Sequence, residues 1–268
     1  MSDVVSREQL RIADLVLRSM RTGDHAAAVD MAPHLHPDVV LRSSFGDAAG
    51  RDAVLHRLSG QWAFTPVYAR GVWSAPQLTE GAIQVIGTFP NIGAAPLRLT
   101  LSLRFGRGGL VTSIDQQAEM PPPPEVVHQL PDHVAASLNN ALANGTPLVL
   151  SYVADNQPHL SLRGSVQVSG PLQLSMWSRK AVGGLVDGLA ANSAVTLLYR
   201  HSPSRTTFVI RGTGRTAGDE STRNEAYMRS PEVERFHDPD RIGAAVLIDI
   251  DEVRGTSPFG PVLVRRPS

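Results

Sequence analysis

Apolar and polar positions fall into two unlike stretches on either side of a proline run. In the first, Leu10, Ala13, Leu17 and Met20 recur at helical spacing, which predicts an amphipathic helix that Gly23 stops. Asp24 can cap a second helix through HAAAVDMA, and Gly50 precedes a third helical pattern, RDAVLHRLSG. Pro33 and Pro37 break the chain between them, so LHPDVVLRSSFGDAAG is expected to begin as a loop. From Val67 to Ala118 the texture is that of strands: VYARGVW, AIQVIGTF, LRLTLSLRF and LVTSIDQQA. LRLTLSLRF alternates apolar and polar residues almost strictly, the mark of a strand with one buried face.

The run EMPPPPE, Glu119 to Glu125, can continue neither a helix nor a sheet ladder. It therefore reads as a semi-rigid linker, 121–125, between domains at 1–120 and 126–268. After it, PDHVAASLNNALANG reads as one helix, with Pro131 near its first turn and Gly145 just past its end. Strand patterns PLVLSYVAD, HLSLRGSVQVSG and LQLSMWS come next, the first two joined by a turn at Asn156 to Pro158. A helix is predicted from about Lys180 to Ala191, with Val182, Leu185, Val186 and Leu189 on one stripe. AVTLLYR, RTTFVIRGTGRTA, a charged helical stretch around Glu220 to Met228, and AAVLIDIDEV complete the series. Six strand patterns with few helices predict a mostly antiparallel β-barrel after an α+β first domain.

At 268 residues, 42% hydrophobic and 19% charged, the chain has the composition of a globular protein of about two domains. Its 25 basic and 25 acidic residues balance, eleven against eleven before the prolines and fourteen against fourteen after. Neither half offers the basic footprint of a nucleic-acid or anionic-membrane binder. The absence of cysteine excludes disulfides, thiolate metal sites and a cysteine nucleophile. No run of 18 apolar residues occurs, and MSDVVSREQLRIADLVLRSMR lacks the apolar core of a secretory signal, so the cytoplasm is the expected location. His34 and His36 lack a third ligand, and no G-x-S-x-G elbow occurs, so neither a metal site nor a serine hydrolase is expected.

One compositional oddity points to chemistry: of the 25 basic residues 24 are arginine, and the single lysine is Lys180. It stands in WSRKAVGGLVDGLAAN, where Ser178, Arg179 and Lys180 occupy a predicted strand-to-helix junction. Open backbone N–H groups and the positive end of a helix dipole favour an anion there. A hydroxyl, a guanidinium fork and an ammonium together suit a phosphate.

The order helix, TPLVLSY (Thr146 to Tyr152), PHLSLRGS (Pro158 to Ser165), SRK (Ser178 to Lys180), helix to Ala191-Asn192, then AVTLLYR resembles the pyridoxamine 5'-phosphate oxidase-like family. The resemblance covers roughly Glu125 to Val264. It implies an FMN-binding split β-barrel that forms a homodimer with the flavin at the subunit interface. It further implies that Ser178, Arg179 and Lys180 hold the FMN phosphate, that Arg163, Gly164 and Ser165 lie along the ribityl chain or ring edge, and that Trp177 belongs to the same cofactor site. The family's oxidase ends in an arginine- and histidine-containing motif that helps bind pyridoxal substrate. This chain ends GPVLVRRPS, which argues against pyridoxamine phosphate as substrate. The segment SPEVERFHDPDRIG, Ser230 to Gly243, resembles one that covers the active site in related proteins.

In the first domain GDHAAA (Gly23 to Ala28), LHPDVVL (Leu35 to Leu41) and GRDAV (Gly50 to Val54), succeeded by long strands, resemble a SnoaL-like, nuclear-transport-factor-type α+β cone. That resemblance implies an apolar pocket, for which His34, His36, Asp38, His56 and Asp115 are the available acid/base groups. Asp115 shares a strand face with Ser113 and Gln117, a face that lines the cone if it points inward.

These residues support three functional readings. The first is an FMN-dependent oxidoreductase acting on a small organic substrate, with no residue assigned a catalytic role, since flavin carries its own chemistry. The second is a SnoaL-like cyclase, isomerase or dehydratase that uses the barrel to dimerise. The third is a non-enzymatic protein that binds a flavin, a deazaflavin or haem.

Overall fold

The computed structural model describes residues 7–59, 64–79 and 81–267. The amino-terminal residues 1–6, part of the stretch read for a secretory signal, lie outside them. The chain is a strand-rich mixed α+β protein divided into two compact units, Met1–Pro121 and Pro122–Ser268. No helix among the described residues is long and apolar enough to cross a membrane.

The first unit opens with α1 (Arg7–Thr22) and α2 (His25–Met31) and a 3-10 turn at Ala32–His34. It continues through β1 (Leu35–Ser43), β2 (Ala48–Ala49), α3 (Arg51–Ser59) and α4 (Thr65–Arg70). It closes with β3 (Val72–Trp73), β4 (Gln77–Thr79), β5 (Ala82–Thr88), β6 (Arg98–Phe105) and β7 (Val111–Glu119). The cap on α2 is the one its sequence predicts: Asp24 accepts a hydrogen bond from the Ala26 amide at 2.9 Å. The seven strands form one sheet in the order β2-β1-β7-β6-β5-β3, with β4 also on β5 and β1 parallel to β7. Leu99, Leu101 and Leu103 of β6, the buried half of its alternating pattern, join Ile12, Val16 and Met20 of α1 in one core.

Two expectations fail here. VYARGVW is a strand only at Val72–Trp73 and is helix α4 up to Arg70; Pro66 sits in the first turn of α4, where its missing N–H costs nothing, and Tyr68 is buried from that helix. His36 to Asp38 is not a loop either, but belongs to β1. Leu35 pairs with Val111 and Val40 with Ser113, so residues 36–39 bulge out of the ladder and Pro37 is spared from donating to it.

The second unit runs β8 (Val126–Val127), α5 (Asp132–Asn139), β9 (Leu148–Ala154), β10 (Gln157–Arg163), β11 (Gln167–Gly170) and β12 (Gln173–Ser178). Then come α6 (Gly184–Ala191), β13 (Ala194–His201), β14 (Thr206–Thr216), α7 (Glu220–Arg229), α8 (Glu232–Phe236), β15 (Ala244–Ser257) and β16 (Gly260–Arg265). All nine strands share a sheet whose main path, β10-β9-β13-β14-β15-β12-β11, is antiparallel throughout. β16 adds to β15, and β8 lies parallel to β16. Asp155 and Asn156, both left-handed (φ 52° and 58°), make the two-residue β9–β10 turn one position ahead of the predicted one.

Helix and strand limits differ from the sequence reading at two further places. The helix after the linker stops at Asn139 and the chain turns to Gly145, whose φ is 68°. HLSLRGSVQVSG is two strands, broken at 164–166, which frees Gly164 and Ser165 from the ladder that ends at Arg163.

Candidate functional site

β12 delivers Ser178 to the end of the sheet, and the chain bends through 179–183 before α6 begins. The helix starts at Gly184 rather than at the predicted Lys180. Gly183 and Gly184 both adopt left-handed φ, 77° and 49°, which a helix cannot extend back through. Ser178 is buried and its hydroxyl donates to the Lys180 carbonyl at 3.0 Å, which tightens the bend and leaves Arg179 and Lys180 exposed. Gly183 brings no side-chain cap, so the first N–H groups of α6 are not taken by one.

Arg163 ends β10 half-buried, its Nε donating to the Ser161 hydroxyl at 3.0 Å. Burial lowers its pKa and the Arg179 charge lowers it further, while Tyr152 and Glu234 act in the opposite sense. The fold therefore brings the guanidinium of Arg163, at the end of β10, within electrostatic reach of that of Arg179, in the bend after β12. Tyr152 of β9 reaches the start of α6: a Cβ on Gly184 would lie 3.8 Å from its hydroxyl. Gly188 makes that approach possible, since a Cβ there would press to 3.0 Å from the Tyr152 ring.

Gly164, Ser165 and Trp177 form a layer behind these charges. The Ser165 hydroxyl accepts from the Trp177 amide at 3.3 Å and donates to its carbonyl at 3.0 Å, pinning the break after β10 to β12. Trp177 is 3% exposed; its indole N–H donates to Asp238 at 2.8 Å, the Tyr227 ring meets it edge-on at 5.0 Å, and Arg223 lies 5.6 Å over it. Asp238 also accepts from the amides of Gly243 at 2.9 Å and Ile242 at 3.1 Å. Burial pushes the Asp238 pKa up, but the Trp177, Gly243 and Ile242 hydrogen bonds and the Arg223 charge outweigh it and hold the carboxyl below its ordinary value.

The segment from Ser230 to Gly243 thus lies as a strap against this layer. Gly243 packs on the Ser178 carbonyl with no room for a Cβ, and Gly164 faces Leu142 and the Glu234 carboxylate, 2.7 Å from where its Cβ would be. Tyr152, Glu234 and Asp238 carried no role in the sequence reading. The signal for the last two was the segment SPEVERFHDPDRIG as a whole, within which Gly243 donates to Asp238.

The acid/base candidates of the first unit do not assemble. Arg11 donates to His34 at 2.7 Å, His36 accepts from the Asp38 amide at 3.1 Å, and His56 is exposed. Asp115 pairs with exposed Arg42 at 3.1 Å on the polar side of the sheet. The side packed on the core is that of Ile114 and Gln116; of the face shared by Ser113, Asp115 and Gln117, Ser113 is buried, Asp115 is half-buried and Gln117 is exposed.

No protein-family model matches the sequence, and no curated protein matches it. Solved structures similar to about half of the chain come from the pyridoxamine 5'-phosphate oxidase family and the general stress protein 26 group. One, related to general stress protein 26 and assigned to the pyridoxinephosphate oxidase family, is from Clostridium acetobutylicum. It is 11% identical over 51% of this chain and 96% of that one, with a TM-score of 0.39. General stress protein 26 of Bacillus anthracis is 16% identical over 50% of this chain and 98% of its own, TM-score 0.36. HupZ of Group A Streptococcus is 12% identical over 47% and 93%, TM-score 0.36.

Proposed function

We propose that the second unit is an FMN-binding split barrel and that the protein is a flavin-dependent oxidoreductase acting on a small organic substrate. The observation that carries this reading is the pair Arg163 and Arg179. Arg163 is half-buried with the Ser161 hydroxyl as its side-chain partner and feels the charges of Arg179 and Glu234, and Arg179 lies in the bend that leads into α6, which has no side-chain cap. Two like charges held together are stabilised by a dianion, and a phosphate monoester supplies one. In this reading Arg163 and Arg179 present forks to phosphate oxygens, Lys180 adds a point charge, and the first amides of α6 donate as well. Gly164, Ser165, Trp177 and Ser178 hold those groups in place. Bound flavin would supply hydride exchange with the substrate.

Homodimer formation draws support from the outer face of β10. Leu160 is 72% and Leu162 69% exposed, and the strand register places Val149 and Leu198 in line with Leu162 on the same face. A contiguous apolar patch of that kind marks a surface that another protein covers.

The test is the absorption spectrum of the purified chain and its titration with FMN. The expected result is a yellow protein that binds FMN, together with reduction of the bound flavin by NAD(P)H or another donor. A colourless protein that takes up neither FMN nor a deazaflavin overturns the reading. Uptake of flavin without reduction by any donor would identify a binding protein instead, and haem is titrated alongside.

A further inference from the structure

Met228, in the last turn of α7, meets two cations of the strap. Its sulfur accepts from a terminal nitrogen of Arg235 in α8 at 3.8 Å and from one of Arg241, in the loop beyond, at 4.0 Å. Among the described residues neither guanidinium is paired with a carboxylate. A thioether is a weak acceptor, so two charged donors converge on a group that answers them poorly.

Other contacts hold both cations where they are. Arg241 donates to the Asn224 side-chain carbonyl at 2.8 Å and lies 4.6 Å over the Tyr227 ring. Arg235 is half-buried; its Nε is buried and unpartnered among the described residues, and its carbonyl accepts from the Tyr227 hydroxyl at 3.2 Å. The donors are fixed, and what they lack is an oxygen.

We propose that Met228 is a redox-modification site: oxidation of its thioether to the sulfoxide supplies the acceptor that Arg235 and Arg241 lack and fastens the strap. The oxidant is a hydroperoxide. A sulfur lone pair attacks the outer peroxide oxygen, an S–O bond forms as the O–O bond breaks, and the departing oxygen takes the proton that the transferred oxygen sheds. The sulfide is oxidised by two electrons and the peroxide is reduced by two. Met228 is 50% exposed, so a peroxide reaches it. The spacing leaves room for the new atom: a sulfoxide oxygen directed at a nitrogen 3.8–4.0 Å from the sulfur stands about 2.8–3.0 Å from it, an ordinary hydrogen-bond length.

Oxidation of a core methionine disrupts packing, because a polar group enters an apolar site. At Met228 the sulfur already stands among cations, so the effect takes the opposite sign and the strap opens less often. Met20, Met31 and Met176 are fully buried, and Met120 is the other exposed methionine among the described residues. The proposal concerns the strap alone and stands whether or not the second unit holds flavin.

The test uses the full chain carrying Met120→Leu, treated with hydrogen peroxide and mapped by peptide mass spectrometry, which is expected to find Met228 oxidised. Hydrogen exchange at the Glu234 and Arg235 amides, which bond to the Pro231 carbonyl, should then slow about three- to tenfold. It should recover when a methionine sulfoxide reductase removes the oxygen. Met228→Gln, whose side-chain carbonyl stands where the sulfoxide would, should exchange more slowly than Met228→Leu without any oxidant. A Met228 that peroxide leaves intact, exchange unmoved or faster on oxidation, slowing by peroxide that persists in Met228→Leu, or equal exchange in the two variants overturns the proposal.

Discussion

Asp238→Ala measures how firmly one side chain holds the strap. Asp238 receives three N–H groups, from Trp177 at 2.8 Å, Gly243 at 2.9 Å and Ile242 at 3.1 Å. Ile242 is 70% exposed, so its amide can turn to water. The Trp177 indole and the Gly243 amide cannot, because both residues are buried. Leaving each buried donor without an acceptor costs about 1–3 kcal/mol, so the docked strap loses about 2–6 kcal/mol. Hydrogen exchange in α8 reads this cleanly, since the Glu234 and Arg235 amides bond to the Pro231 carbonyl and not to Asp238. A loss of about 2 kcal/mol corresponds to exchange faster by about 30-fold where opening of the strap governs it. Exchange at Glu234 and Arg235 within about threefold of the unmodified chain would refute the claim that Asp238 anchors the strap.

The same carboxylate sets an acid limit. Its folded pKa is depressed, so its contribution is complete above the unfolded value near 3.9 and is lost as pH falls through the lower folded one. Protection of α8 should therefore be flat from about pH 5 to 8 and collapse only below about pH 4, and a midpoint near neutrality in exchange data would contradict this. Lys180→Ala should weaken FMN binding by about 1.5–3 kcal/mol in a fluorescence titration, and an unchanged affinity would make Lys180 an ordinary solvated residue. Leu160→Asp with Leu162→Asp should convert a dimer into a monomer by light scattering, and persistence of the dimer would exclude that face as the contact. Gly255→Ala drives a Cβ into the Thr207 carbonyl across the β14–β15 pair and should cost about 1–3 kcal/mol in denaturant unfolding; an unchanged midpoint would count against the pairing.

Local features were legible where one residue dictates the backbone. Asp24 caps α2, Gly23 ends α1 at φ 63°, and LRLTLSLRF becomes β6 with its leucines buried. Errors arose where distant packing decided. The aromatic and β-branched texture of VYARGVW suggests a strand, but burial of Tyr68 on the helix side and Pro66 at the helix start prevail. WSRKAVGG looks helical from Lys180 onward, and only the two successive left-handed glycines delay the helix. For the candidate site, the sequence displays Ser178, Arg179 and Lys180 as neighbours. That Arg163 shares their field and that the segment of Glu234 and Asp238 lies near them came only from the family resemblance, and the bonds that hold Trp177 to Asp238 were not legible at all. Those relations are made by strand pairing and by the strap that follows α7.

β10 is the terminal strand of its sheet path, so one of its edges carries a backbone row that no neighbouring strand among the described residues satisfies. Its solvent face adds two leucines to that bare edge. An uncovered edge with apolar side chains is a template for unwanted strand addition, and no proline interrupts it beyond Pro158. On the homodimer reading proposed above, newly made chains face a concentration-dependent choice between covering of this strand by a second copy and aggregation through it. On that reading, apolar substitutions that weaken the covering should lower soluble yield, whereas charged ones on this strand, such as Leu160→Asp with Leu162→Asp, should leave a soluble monomer.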